Sequence, residues 1–288
     1  MRIERLPRNP IITPGMDERM GSNTNGPSLI RAPYWLPGRL GEYYLYFAHH
    51  AGRYIRLAYA DRLEGPWTVH RSGTLQIEQS CFPNHIASPD VHVDEDQRRI
   101  RMYYHGCCLP EPHPVQAERV AVSRDGIHFT PREEVLGVSY WRVFFWGGFH
   151  YGLAMPGRLY RSRDPLGGFE EGPTLFTPRM RHSAVKLDGN VLSVFYTNAG
   201  DCPERILLAG IELTPDWRDW QATEPVTVLE PETDYEGADL PIAASERGWA
   251  PEPVRQLRDP CIYRENGRTY LLYSVAGEHG IAIAELSE

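Results

Sequence analysis

The sequence predicts an all-β fold: one five-bladed β-propeller over residues 1–288, its ring closed by the N-terminal strand. Three observations carry that expectation. Turn formers are frequent, with 25 prolines and 26 glycines, and no long run shows the 3.6-residue period of a helix. Short apolar and aromatic runs bounded by polar turns carry instead the composition that strands favour. One design also recurs, a strand, a polar turn and a second strand, at 86–104, 184–196 and 259–273. Four-stranded units repeated at roughly 40 to 70 residues read as the blades of a propeller.

The units follow in order. The first starts at Asn25-Gly26-Pro27, runs through 42–47 and 54–60 and ends at Gly65-Pro66-Trp67. The second runs from His85 through Tyr104 and 119–123 to Phe129, and the third takes 142–146, 151–155, 158–162 and Gly168-Phe169. The fourth covers 182–187, 191–196, 206–213 and a last strand at 217–220; the fifth has 260–263, 269–274 and 280–286. Four units thus close on a turn and an aromatic: Trp67, Phe129, Phe169 and Trp220. The fifth lacks its fourth strand, and residues 3–6 are expected to supply it, which hides two sheet edges at once.

Composition narrows the chemistry. A net charge of −8 without a basic cluster makes nucleic acid an unsuitable partner, and no stretch approaches the roughly 18 apolar residues of a membrane span. The first residues lack the apolar run of a signal peptide, so a cytoplasmic protein is the expectation. Five cysteines, odd in number and without a CxxC pair, argue against a disulfide framework or a zinc ribbon. Lys186 is the only lysine, which disfavours Schiff-base chemistry and a P-loop; GxSxG and GxGxxG are both absent. The oligomeric state is open.

In a propeller the first strand of each blade lines the axis, and the loop before it opens on the same face as the loop joining strands two and three. That register gathers Asn25, His85, Arg181, His182, Arg258 and Asp259 from the leading loops. From the second-to-third loops it gathers His49, His50, His105, Asp201, Glu204, Glu278 and His279. Six of the 11 histidines fall on this one face. Singly, each has a plain structural reading: an Asp beside Pro caps backbone donors, a histidine is a hydrogen-bonded scaffold, and Cys107-Cys108 is small packing. Carboxylates, imidazoles and Arg258 aimed at one axial pocket read together as a site, and His49, His85, His105, His182, Asp259 and His279 are expected to share it. A second acidic source is the loop 234–239, with Glu236 and Asp239, which reads equally as a solvated acidic loop.

Ser88-Pro89-Asp90-Val91, Arg258-Asp259-Pro260, Gly267 to Tyr273 and Leu63 to Trp67 form one further pattern. In these motifs the chain resembles the five-bladed glycoside hydrolases of families 43, 32, 68 and 117. The resemblance implies hydrolysis of an oligosaccharide, acidic or anhydro in view of Arg181 and Arg258, by two carboxyl-type groups. Asp90 matches the blade-two aspartate of those families, whereas their blade-one aspartate is here Gly26, beside Asn25. Glu171-Gly172-Pro173 resembles the family 43 acid motif but falls on an outer strand. The working pair is therefore expected from Asp90, from Asp259 as a base held by Arg258, and from Glu278 or His279 as the acid, a histidine acid being what family 117 implies. No cofactor is expected. Two alternatives stay open: a glycan-binding propeller without catalysis, and a hydrolase or lyase holding a divalent ion on His49, His50, His85, His105 or His182.

Overall fold

Alternating side chains along a strand face opposite sides of its sheet, so a blade that is apolar on both faces must be covered on both. In the computed structural model, which describes residues 1–287, five antiparallel sheets solve this by standing side by side in a ring. β1 (Arg2–Arg5) comes first in the chain. Blade one is β2 (Asn25–Arg31), β3 (Tyr43–Ala48), β4 (Arg56–Ala60) and β5 (Thr68–Val69). Blade two is β6 (Ile86–Asp94), β7 (Arg99–Cys107) and β8 (Gln116–Ser123), with β9 (Thr130–Pro131) and β10 (Gly137–Val138) both paired to β8. Blade three is β11 (Arg142–Trp146), β12 (Phe149–Ala154), β13 (Arg158–Ser162) and β14 (Glu170–Thr174). Blade four is β15 (Met180–Asp188), β16 (Val191–Asn198), β17 (Ile206–Glu212) and β18 (Val226–Leu229). Blade five is β19 (Arg258–Glu265), β20 (Arg268–Ser274) and β21 (Ile281–Ser287), and β1 completes it in the order β1-β21-β20-β19.

The core lies between blades. On β3, Tyr44 and Tyr46 face blade two with Ile86, Met102 and Tyr104, while Leu45 and Phe47 face blade five with Leu272 and Ile283. Tyr103, Trp141 and Tyr160 fill the junction of blades two and three. Phe144, Tyr151 and Val194 fill that of three and four, and Phe195, Leu271 and Tyr273 that of four and five. Closure follows the expected pairing: Ile3 meets Leu286 and Arg5 meets Ala284.

One expected strand is wrong. Residues 217–220 form a 3-10 turn, Trp217–Asp219, capped by the Asp216 side chain, which accepts from the Arg218 amide at 3.0 Å. Trp217 and Trp220 are wedges instead, their rings 5.8 and 5.0 Å from that of Tyr151 in blade three. The outer strand β18 comes after them. Blades one to three follow the same rule, with buried Trp67 and Phe129 and half-buried Phe169 just before β5, β9 and β14.

Candidate functional site at the axis

The first strands of four blades share one irregularity near their start. The pairing register slips between Asn25 and Ser28, Ala87 and Asp90, Met180 and Ser183, and Arg258 and Cys261. In three of them proline follows a residue of positive φ: Gly26 (59°), Ser88 (47°) and Asp259 (48°). Proline cannot donate to the ladder, so a bulge is its natural place within a sheet. A bulge re-aims the side chain it carries. Blade four places His182 there and blade three contributes Tyr140, also of positive φ (65°).

Asp259 and His182 form the centre. His182 Nδ1 lies 2.6 Å from Asp259 Oδ1, and Ser274 Oγ donates to Asp259 Oδ2 at 3.1 Å. Burial pushes the Asp259 carboxyl up, but the imidazole, followed by Arg181, outweighs it and holds the group below the usual carboxylate range. Burial holds His182 below the usual imidazole range, against the pull of Asp259. The contact is not in standard hydrogen-bond alignment, but a neutral ring this close to a carboxylate oxygen is favoured with its proton on Nδ1, which leaves Nε2 as the acceptor. Tyr140 is sandwiched between rings, with centroids 4.7 Å from His182 and 4.2 Å from His105; His85 follows 5.6 Å beyond His105. Burial, then His85, keeps His105 well below the ordinary imidazole value.

A second network borders the first. Glu204 lies 3.1 Å from Arg181 and 3.3 Å from Arg258, and Arg258 reaches Glu278 at 2.9 Å. Asn23 and Asn25 donate to Glu278 at 2.6 and 3.2 Å, and His50 Nδ1 stands 3.5 Å from it. Burial pushes Glu278 up, yet His50, Arg258 and Asn23 together hold it far below the carboxylate range. It stays ionised and cannot serve as the acid expected of it.

Several other assignments change. Asp90 lies past the bulge, where His92 Nε2 meets its Oδ2 at 2.7 Å and the Val143 amide donates to the same oxygen at 2.8 Å. Between it and the histidines stands Arg142, whose guanidinium donates to the carbonyls of Ser183 (2.8 Å), Pro89 (2.9 Å), Pro27 (3.3 Å) and Pro260 (3.4 Å). Asp90 therefore faces the opposite mouth, a cavity of about 600 Å³ walled by Val93, Val185, Leu187 and Ile262. Glu236 is buried, but between blades four and five; Arg5 (2.8 Å), Tyr273 (2.8 Å) and the Glu232 amide (2.8 Å) occupy it. Asp239 is exposed on the same loop. Asp201 pairs with Arg179 on the rim. His279 turns back on the Ala276 carbonyl at 3.0 Å and does not join the ring cluster, whereas His49 packs 5.7 Å from Trp249. Glu171 sits on outer strand β14, bound to Arg158 at 3.1 Å. No group of three or more His, Cys, Asp or Glu side chains among the described residues is disposed to hold a metal ion.

Three features escape sequence reading. Glu118 on β8 is fully buried directly opposite His105, and neither of its oxygens finds a partner of standard hydrogen-bond geometry. Burial, then Asp90, pushes its carboxyl well above the ordinary value, which favours its protonated form. Tyr140 gives no signal, since its position depends on a backbone turn. The third feature is the segment before blade five, which roofs the mouth. Gly248 O accepts from Arg181 (2.8 Å) and Arg258 (3.0 Å), Glu246 O accepts from Arg181 (3.1 Å), and Trp249 covers His49. Beneath it the space beside Ser88, Tyr140, His182 and Asp259 is about 10 Å³. Buried polar atoms without partners collect at these strand ends: Thr24 Oγ1, Asn25 Oδ1, His105 Nδ1, Thr197 Oγ1, Asn198 Oδ1 and Glu204 Oε1. So many at one place is unusual for a folded protein and points to a hydroxyl-rich ligand or ordered water.

No protein-family model matches the chain. Among solved structures, the xylotriose complex of CoXyl43, a family 43 β-xylosidase/α-arabinofuranosidase from a compost metagenome, superposes with a TM-score of 0.62 at 16% identity, over 93% of this chain and 92% of that one. A family 43 enzyme from Xanthomonas citri complexed with xylotriose gives 0.62 at 12% identity, over 93% and 88%. A Bacteroides ovatus protein provisionally described as a glycoside hydrolase gives 0.68 at 14% identity, over 100% and 97%. At these identities the likeness shows the fold, that of the five-bladed family 43 glycoside hydrolases. In sequence, the uncharacterized protein R118 of Acanthamoeba polyphaga mimivirus is 37% identical over 324 aligned positions, which take in 99% of this chain and 90% of the viral protein. The chain therefore belongs to the family of mimivirus protein R118, built on the propeller of the family 43 glycoside hydrolases.

Proposed function

We propose that the protein hydrolyses a neutral glycoside at the axial mouth, with the Asp259–His182 pair activating water. The observation that carries this reading is the 2.6 Å contact between an ionised, buried carboxylate and a neutral imidazole on two different inner strands. Asp259 fixes the ring and its tautomer and stabilises the imidazolium; His182 Nε2 takes the proton from the attacking water. The departing oxygen needs a proton in return. This reading assigns that donor role to Glu118, a buried carboxyl held toward its protonated form opposite His105 on the neighbouring strand. Water is split across the glycosidic bond; the His182 imidazolium then gives its proton to solvent and Glu118 takes one back, which restores both groups. A neutral sugar fits better than an acidic one, because Glu204 and Glu278 already neutralise Arg181 and Arg258. Two of the solved structures with this fold carry xylotriose, also neutral. Entry of substrate requires the roof over Arg181 and Arg258 to give up its carbonyl contacts.

The test is turnover of a panel of neutral oligosaccharides and aryl glycosides by wild type, Asp259→Asn and His182→Gln. Loss of a general base lowers turnover by about 10²–10⁴-fold. Either variant, folded and at full activity, removes the pair from the mechanism. The roof favours a second reading, binding without cleavage: a wild type that binds xylotriose in calorimetry yet cleaves nothing across the panel establishes that reading instead.

A further inference from the structure

Adjacent residues in a strand point to opposite faces, so two consecutive cysteines normally keep their sulfurs apart. Cys107 and Cys108 do not. β7 ends at Cys107, and Cys108 turns to a φ of 70°, a left-handed conformation that an L side chain adopts at a cost. That turn brings the two sulfurs to 2.6 Å, closer than two unbonded sulfurs ordinarily approach, with both thiols free. The Cys108 amide is secured by the Val115 carbonyl at 3.0 Å. One member is buried and the other exposed. The pair lies at the rim of the axial mouth, directly after His105 and Gly106 on the same strand. Cys81 and Cys202 are exposed as well, but neither has a second thiol against it.

We propose that Cys107-Cys108 is a dithiol site that a peroxide closes into a vicinal disulfide and that a trivalent thiophile such as an arsenical bridges. Cys108 is the accessible member and is attacked first. Its thiolate sulfur displaces hydroxide from hydrogen peroxide and becomes a sulfenic acid, and the hydroxide takes up the thiol proton as water. Cys107 sulfur then attacks the sulfenic sulfur; the S–O bond breaks, the S–S bond forms, and the departing hydroxide leaves with the Cys107 proton as a second water. Each sulfur gives up one electron and the peroxide is reduced by two. Burial, followed by the contact with Cys108, pushes the Cys107 thiol up to about 11, which suits it to the resolving rather than the attacking role. Linked cysteines ordinarily hold their Cα atoms about 4.4–6.8 Å apart, whereas neighbours across a trans peptide stand about 3.8 Å apart. The closed form is therefore strained and easily reduced, as a reversible site requires.

Trypsin cleavage at Arg101 and Arg119 isolates both cysteines on one peptide, 102–119, which holds no other. The native full-length chain, treated with a small excess of hydrogen peroxide and trapped in acid, is expected to drop from five free thiols to three. Peptide 102–119 should then be lighter by two hydrogens, and dithiothreitol should restore it. Phenylarsine oxide should bind one per chain, and Cys108→Ser should lose both responses while Cys81→Ser and Cys202→Ser keep them. Cys108 is exposed, so its replacement leaves the core intact; circular dichroism and the melting temperature verify that. Retained arsenical uptake in Cys108→Ser overturns the proposal. Addition of oxygen to the peptide without loss of hydrogen, or a disulfide mapped to Cys81 or Cys202, overturns it equally.

Discussion

Gly26 marks where this chain leaves the glycosidases it resembles. A Cβ at that position would stand 2.7 Å from the Ser88 Cα, and the residue holds a φ of 59°. The first strands of blades one and two approach so closely there that an aspartate has no room. Gly26→Asp is therefore expected to lose about 1–3 kcal/mol from backbone strain alone, with the clash added, and to gain no turnover. Chemical denaturation and the glycoside panel read the two halves of that expectation separately. Asp259 and His182 were legible because both lie beside strand starts that the repeat brings to one face. Glu118 was not, because nothing in a strand pattern shows that a charged residue will be buried without a partner. Its role has its own check. The folded chain keeps the Glu118 proton to a higher pH than the unfolded chain, so unfolding releases a proton and rising pH erodes stability. Glu118→Gln has no such proton, and its stability relative to wild type should grow from about pH 4 upward. If Glu118 supplies the proton for the leaving group, the same variant loses turnover on poor leaving groups and keeps it on activated aryl glycosides. An equal loss on both classes assigns Glu118 a structural role.

At the scale of elements, strand pairs joined by tight turns were readable and outer strands were not. Inner strands alternate apolar side chains toward two neighbouring blades, which fixes their period. The outer strands are two to five residues long and largely exposed, so they carry little pattern, whereas the aromatics before them stand out in the sequence. The turn at Asp125 shows what holds such a corner. Its carboxylate accepts from the amides of Ile127 and His128 and from Ser123 Oγ, and it meets the His128 ring at 2.7 Å. Tyr46 of blade one donates to Gly126 O at 2.8 Å, so the turn also joins two blades. Burial pushes the Asp125 carboxyl up, but His128 and these donors hold it down at about 2. A carboxyl depressed in the folded state contributes stability above its unfolded value of about 3.9, and that contribution fades as pH falls toward the folded value. Asp125→Ala should cost about 0.5–2 kcal/mol at pH 7, the ordinary worth of such a cap. The difference from wild type should shrink between about pH 4 and pH 2 in urea titrations; a gap unchanged across that range excludes the carboxylate as its source.

Across the whole molecule, the number of blades and the closing strand follow from counting strands, since a fifth unit one strand short demands a partner from elsewhere in the chain. The hub and the latch do not follow, because both are made by single side chains reaching across the ring. Arg142 of blade three binds carbonyls of blades one, two, four and five. The latch secures the closure: Arg5 on β1 binds Glu236 at 2.8 and 3.0 Å, and Glu236 in turn holds Tyr273 of β20. The sequence made Glu236 a candidate for sugar binding, since an acidic run before a blade looks the same whether it faces a ligand or a terminal strand. Removing Arg5 leaves a buried carboxylate without its charge partner, and removing Glu236 takes the acceptor from the Tyr273 hydroxyl and leaves Arg5 to Glu232 and the Glu230 carbonyl. Breaking a buried pair from one side costs about 3–5 kcal/mol, so Arg5→Met and Glu236→Gln should each lower stability by that order. The double variant should cost less than the sum of the two, because the second change no longer abandons a buried charge. Binding of xylotriose and any turnover of the glycoside panel should be unchanged in the folded fraction of all three, since the latch lies between blades four and five rather than at the axial mouth. Additive losses in the denaturation cycle would show that β1 is held by its strand pairing alone.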